Sequence, residues 1–190
     1  MAGKIFVVMG TSPHEEKTVF ESLREMQGFR ENTEFLIPYT TRPERKDEIN
    51  GVDYNFVENN YINLYRANRK IISCTRCEFE GKPVYYALLD RGFNPHMNYV
   101  IKGSLPIYRD VIEYFKDSEM TICPIFIETP DNVILKTPIY AESERVADEE
   151  EFRHLIPKKK YINNFCIINT TFTIANDVQK SIDEDVNLWI

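Results

Sequence analysis

Positive charge, cysteine, histidine and long apolar runs are all scarce in this chain, and each scarcity removes a class of function. With 23 Lys and Arg against 30 Asp and Glu, the net charge is −7, which argues against a protein that holds nucleic acid by neutralising its backbone. The one basic run, Lys158-Lys159-Lys160, follows the acidic stretch Glu142 to Glu151 and reads as part of a solvated charged segment. No unbroken apolar span of about 18 residues is present, nor an N-terminal charged-then-apolar leader, so neither membrane insertion nor secretion is expected and the default location is cytoplasmic. Four cysteines, Cys74, Cys77, Cys123 and Cys166, are too few and too scattered for a disulfide framework and read as reduced core residues. Cys74 and Cys77 have the spacing of half a zinc site. No second pair or nearby His completes it, and on a strand residues three apart face opposite sides. His14, His96 and His154 are far apart in sequence and stand in no nucleophile or metal motif, so no metal site is expected.

What remains is enough for a well-cored domain. At 190 residues, 43% hydrophobic, the chain has the size of one compact α/β unit with room for an insertion. Lys4 to Met9 is a nearly continuous apolar run ending at Gly10, the pattern of a buried parallel strand entering a turn. Thr18 to Met26 carries Val19, Leu23 and Met26 at helical spacing. Phe35 to Ile37 is a second strand, broken at Pro38. The rhythm then changes: Val52 to Val57, Ile71 to Phe79 and Val84 to Leu88 read as strands, with a helix near Glu58 to Asn68 and a turn at Glu80 to Pro83. It resumes with a strand at Tyr99 to Ile101, a helix from Ser104 to Phe115, and a strand at Thr121 to Ile127. A helical segment near Asp131 to Arg145, a strand at Phe165 to Ile168 and a helix at Ala175 to Ile182 close the chain. No internal repeat or low-complexity tract interrupts it.

One segment is far more specific than the rest. Thr40-Thr41-Arg42-Pro43-Glu44-Arg45, followed by Glu48, Gly51, Asp53, Tyr54 and Phe56, resembles the monophosphate-binding pattern T-T-R-x-x-R-x-x-E-x-x-G-x-D-Y-x-F of the guanylate kinase family. Arg42 and Arg45 can present planar donor forks to phosphate oxygens, and Tyr54 can add a neutral hydroxyl. Ion pairs with Glu44, Asp47 or Glu48 are the bland alternative for the arginines. The resemblance implies a P-loop nucleoside monophosphate kinase-like fold: an α/β parallel sheet flanked by helices, with a small β-rich insertion. It divides the chain into an α/β core, residues 1–37 and 90–190, with a lid-like segment at about 137–160, and a monophosphate-binding insertion at 38–89. It further implies phosphate contacts from Arg42, Arg45, Tyr54 and either Tyr85 or Tyr86, with Thr41 and Glu48 in the same acceptor site.

Elsewhere the pattern departs from the family. Its ATP loop, G-x-x-x-x-G-K-[ST], corresponds here to Gly10-Thr11-Ser12-Pro13-His14-Glu15-Glu16-Lys17-Thr18. Aligned without gaps, Glu15 replaces the second glycine and Glu16 the lysine. Two carboxylates facing a triphosphate repel it, and Pro13 removes an N–H donor. A one-residue shift would recover Lys17-Thr18 as the Lys-Thr pair. Pro38, Thr75 and Leu88 stand where the family recognises guanine with polar side chains, and Lys102 and Ser104 where it carries aspartates. Arg145 and Arg153 match either the family's catalytic lid or an acidic helix start that contains two arginines. Scaffold-protein members with degenerate ATP loops carry a similar Pro-x-Thr-Thr-Arg-Pro and bind phosphorylated peptides. The expectation is therefore a guanylate-kinase-like pseudoenzyme holding a phosphorylated small molecule or protein segment, without a cofactor. The alternative is an active ATP-dependent nucleoside monophosphate kinase that uses ATP and magnesium.

Overall fold

The computed structural model describes residues 2–10, 13–25, 32–128 and 163–166, with the isolated helical residues Asn176 and Lys180. Side chains are described throughout these segments except at residues 10, 13–18, 126–128 and 163–166. Expectations for residues 129–162 and the closing helix, which include the lid-like segment, Arg145 and Arg153, lie almost wholly outside the described residues.

The first sheet is built from β1 (Lys4–Gly10), β2 (Thr33–Leu36), β7 (Asn98–Lys102), β8 (Thr121–Glu128) and β9 (Asn163–Cys166), in the order β2-β7-β1-β8-β9. Every pairing in it is parallel. The reason β1 reads as an unbroken apolar run is visible in its two faces. Phe6 and Val8 pack with Val19, Phe20 and Leu23 of α1 (Pro13–Glu25), while Ile5, Val7 and Met9 pack with Leu105, Tyr108 and Val111 of α3 (Leu105–Tyr114). A strand covered on both sides has no solvent face to fill with polar residues.

Helix α1 begins five residues earlier than its apolar spacing suggests, at Pro13. Proline suits the first helical position because its fixed φ is already helical and its missing N–H has no partner there in any case. Only two residues separate β1 from α1. The last strand is displaced the other way, to Asn163–Cys166.

The second sheet lies between β2 and β7 in sequence and has the order β4-β3-β6-β5. It comprises β3 (Tyr39–Thr40), β4 (Asn55–Phe56), β5 (Ile71–Phe79) and β6 (Lys82–Leu89), with α2 (Asn59–Ala67) before β5. The strand expected over Val52 to Val57 shrinks to two residues, because Gly51 takes a positive φ of 79° and Asp53 accepts a hydrogen bond from Ile49 N–H, which makes the preceding stretch a turn. Lys82 and Pro83 belong to β6 instead of the turn before it. Glu80 and Gly81 alone make that turn, with φ of 50° and 74°, the doubly positive pair a tight hairpin needs.

The two faces of this sheet have different partners. Tyr39, Ala87 and Leu89 pack against Ile62 of α2, whereas Ile72 and Leu88 join the cluster that holds Val7, Tyr99 and Tyr108 of the larger unit. Buried Ser73 donates to Asp110 of α3 at 2.6 Å, adding a polar tie across the same junction.

Candidate functional site

The clamp segment leaves β3 at Thr40 and returns at Tyr54, so its arginines project from a loop fixed at both ends by the second sheet. Arg42 is 3% exposed, a burial that a guanidinium tolerates only when paired and hydrogen-bonded. Both Glu48 carboxylate oxygens accept from it, Oε2 at 2.6 Å from Nη1 and Oε1 from Nη2. Nη1 also donates to the Pro43 carbonyl at 2.9 Å, and Nε donates to the Tyr86 hydroxyl at 3.0 Å. Three rings surround the cation, with centroids 5.1 Å (Tyr54), 5.5 Å (Phe56) and 5.9 Å (Tyr86) from its central carbon. Those faces carry the negative side of the ring quadrupole and so favour the charged group.

This arrangement sets the expected residues apart from one another by what they already bond. Arg42 is the anchor: most of its donors are already used. Glu48 also accepts from the Arg45 backbone N–H at 2.9 Å, closing the turn that carries Arg45. Arg45 itself is exposed. Tyr86 accepts from Arg42 and therefore has its own O–H to offer elsewhere. The Tyr54 hydroxyl makes no hydrogen bond to a described residue, and burial, the largest influence, raises its pKa, so it stays a neutral donor. The positive charges of Arg42 and Arg45 both act on that phenol. Tyr54 and Tyr86 thus have hydroxyl donors beside a buried cation, within the influence of the Arg45 charge.

Tyr85 is excluded from this cluster by register. Tyr86 lies opposite Thr40 and Thr75, and adjacent strand residues face opposite sides. Tyr85 turns to the α2 side, where the Arg66 guanidinium sits 5.3 Å from its ring centroid. Thr41 has a structural part: its backbone N–H donates to Tyr85 O, and its hydroxyl accepts from Tyr85 N–H at 2.9 Å. Phe56 and Thr40 were given no role from sequence. Phe56 closes the box around Arg42, and buried Thr40 accepts from the Arg42 backbone N–H at 3.4 Å. The final Phe of the motif was the available signal for the first.

The Arg42 hydrogen bonds hold the Glu48 carboxyl down at about 2, against an ordinary value of 4.5. A carboxylate depressed in the folded state contributes stability that is full above pH 4.5 and lost as pH falls toward 2. We expect this pair to give a loss on the order of 2 kcal/mol across that window, allowing for solvent screening. Denaturant unfolding of wild type and Glu48→Gln at a series of pH values would measure it, and parallel pH profiles would exclude the pair as the source.

The three positions that the resemblance sets against the family's guanine contacts lie in different surroundings. Pro38 follows β2, Thr75 is exposed, and Leu88 is buried. Leu88 lines a cavity of about 160 Å³ together with Leu36, Tyr39, Arg91 and Tyr99, below the roughly 300 Å³ at which small-molecule pockets begin. Gly10 ends β1, and Lys17 and Thr18 lie within helix α1; Ser12 is outside the described residues. Among the described residues no group of His, Cys, Asp and Glu could hold a metal ion, and no helix is long and apolar enough to cross a membrane. Cys123 is buried, but Cys74 is half-buried and Cys77 exposed, which corrects the expectation of core cysteines; all three are free thiols.

A crystal structure of guanylate kinase from Anaplasma phagocytophilum is similar in fold, with a TM-score of 0.63 at 18% identity over 97% of this chain and 86% of that one. No curated protein matches. The family model for guanylate kinase matches residues 2–147, a span that contains β2, β7, β1 and β8 of the parallel sheet and the arginine motif. The chain belongs to the guanylate kinase family.

Proposed function

We propose that this chain is a guanylate-kinase-like pseudoenzyme that uses the clamp to bind a phosphate monoester, either on a nucleotide or on a phosphorylated protein segment. The observation that carries the reading is a buried, carboxylate-anchored Arg42 beside the neighbouring Tyr54 and Tyr86 rings, with the positive charge of exposed Arg45 acting on the same Tyr54 phenol. A phosphate dianion matches such a site in charge and in its demand for several donors. Support for the loss of transfer activity comes from the junction of β1 and α1. An ATP loop must be long enough for successive backbone N–H groups to converge on phosphate; here β1 ends at Gly10 and the helix begins at Pro13. Glu15 and Glu16 then fall in the first helical turn, where carboxylates favour the helix and oppose a triphosphate.

Calorimetric titration with inorganic phosphate, GMP, other monophosphates and Mg-ATP tests both halves. A monophosphate or phosphate is expected to bind, with Mg-ATP no tighter than millimolar, and no GDP should form from GMP and ATP. Turnover within the usual enzymatic range of about 1 to 1000 per second would overturn the pseudoenzyme reading.

A further inference from the structure

We propose that the free edge of β5 is a self-association surface, on which a second copy of this chain adds an antiparallel strand centred on Cys77. In the order β4-β3-β6-β5, β5 is outermost among the described residues, and Thr75, Arg76, Cys77 and Glu78 are all exposed. An uncovered strand edge presents unpaired backbone donors and acceptors and is a template for another strand.

The residues whose backbone faces that edge can be identified. The Tyr85 C=O accepts from Thr41 N–H, and Tyr85 N–H donates to Thr41 Oγ1. Both Tyr85 backbone groups therefore point away from β5, which makes the Arg76–Tyr85 pair the non-hydrogen-bonded kind. The N–H and C=O of Arg76, and by alternation those of Glu78, point out to the free edge. Cys77 points its own toward β6.

A two-fold axis through Cys77 would set Arg76 of one copy against Glu78 of the other, twice. Each such pair exchanges both backbone hydrogen bonds and brings opposite charges face to face, the favourable cross-strand arrangement. Within one copy Arg76 and Glu78 share a face of β5, yet neither makes an ion pair with a described residue. The sequence Arg-Cys-Glu is self-complementary only in this antiparallel register: a parallel pairing would oppose Arg to Arg and Glu to Glu. The two Cys77 residues would form a non-hydrogen-bonded pair with Cα atoms about 4.5 Å apart, inside the separation a disulfide spans.

Sedimentation equilibrium of the full chain under reducing conditions is expected to show concentration-dependent dimers. Arg76→Glu should weaken the association about tenfold or more by placing like charges opposite each other. Arg76→Glu combined with Glu78→Arg restores complementarity and should recover it. Diamide oxidation should trap a covalent dimer: the two Cys77 thiols lose their protons, a sulfur–sulfur bond forms, and the two electrons pass to diamide. Cys77→Ser should abolish trapping and leave the reducing-condition dimer intact. A chain that stays monomeric, or a double variant no better than the single one, overturns the proposal. All three positions are exposed, and circular dichroism of each variant would separate misfolding from lost association. None of them contributes to the arginine clamp, so phosphate titration of the same variants should be unchanged.

Discussion

Replacing Arg42 with alanine is expected to lower the unfolding free energy by about 3 to 5 kcal/mol, the cost of leaving one partner of a buried ion pair unpaired. Glu48 has only 10% of its side chain exposed, and Arg42 satisfies both of its oxygens. Binding of any phosphate monoester should weaken as well, by roughly 1.5 to 3 kcal/mol, the worth of a hydrogen bond to a charged group. The two effects can be separated. Arg42→Ala with Glu48→Gln removes the stranded charge and should recover part of the stability while leaving binding impaired. Arg42→Lys keeps the charge but not the bidentate fork, so it should recover little of either. Equilibrium denaturation beside phosphate titration measures both, and an alanine variant with an unshifted midpoint would remove the buried pair from the account.

Tyr99→Ala should be comparably damaging, at about 3 to 5 kcal/mol, because a large aromatic is deleted from the centre of the core. Tyr99 is 2% exposed on β7, between β1 and β2. Its ring makes an edge contact with Phe93 at 4.7 Å, and Phe93 meets Phe115 of the α3 face at 4.8 Å. The hydroxyl accepts from Asn94 N–H at 2.8 Å, tying the loop before β7 to the sheet. Tyr99→Phe keeps the packing and loses only that bond, so about 1 kcal/mol is expected. Chemical denaturation of the two variants distinguishes the effects. Equal losses would mean that the hydroxyl, and not the ring, dominates.

The contrast between what the sequence discloses and what it conceals follows from the range of each signal. β5 is found at its expected limits, Ile71 and Phe79, because the Glu80-Gly81 turn that ends it is a local signal. The family motif is legible for the same reason, since its residues from Thr40 to Phe56 fall within one short segment. The partner of Arg42 is not. Glu48 had been one of three carboxylates within reach, and choosing among them required the turn at Arg45 that places it. The choice between Tyr85 and Tyr86 depended on the register of β6 against β3, a property of two strands together. The exposure of Cys77 depended on β5 being outermost, which no single strand's pattern reveals. The early start of α1 did leave a local trace in Pro13 and the two glutamates after it, but alignment to a phosphate loop assigned those residues to another role.

The shared burial of Ile72 and Leu88 with Val7 and Tyr108 also governs how the second sheet can be handled as a physical object. Cut out at its ends, it would expose one apolar face to water. A sheet with only one of its two faces covered loses much of its driving force for folding. The smaller unit therefore takes its stability from the larger one. Anything that binds to the clamp then acts on the unfolding equilibrium of the joined whole, because one cluster of buried residues is common to both units.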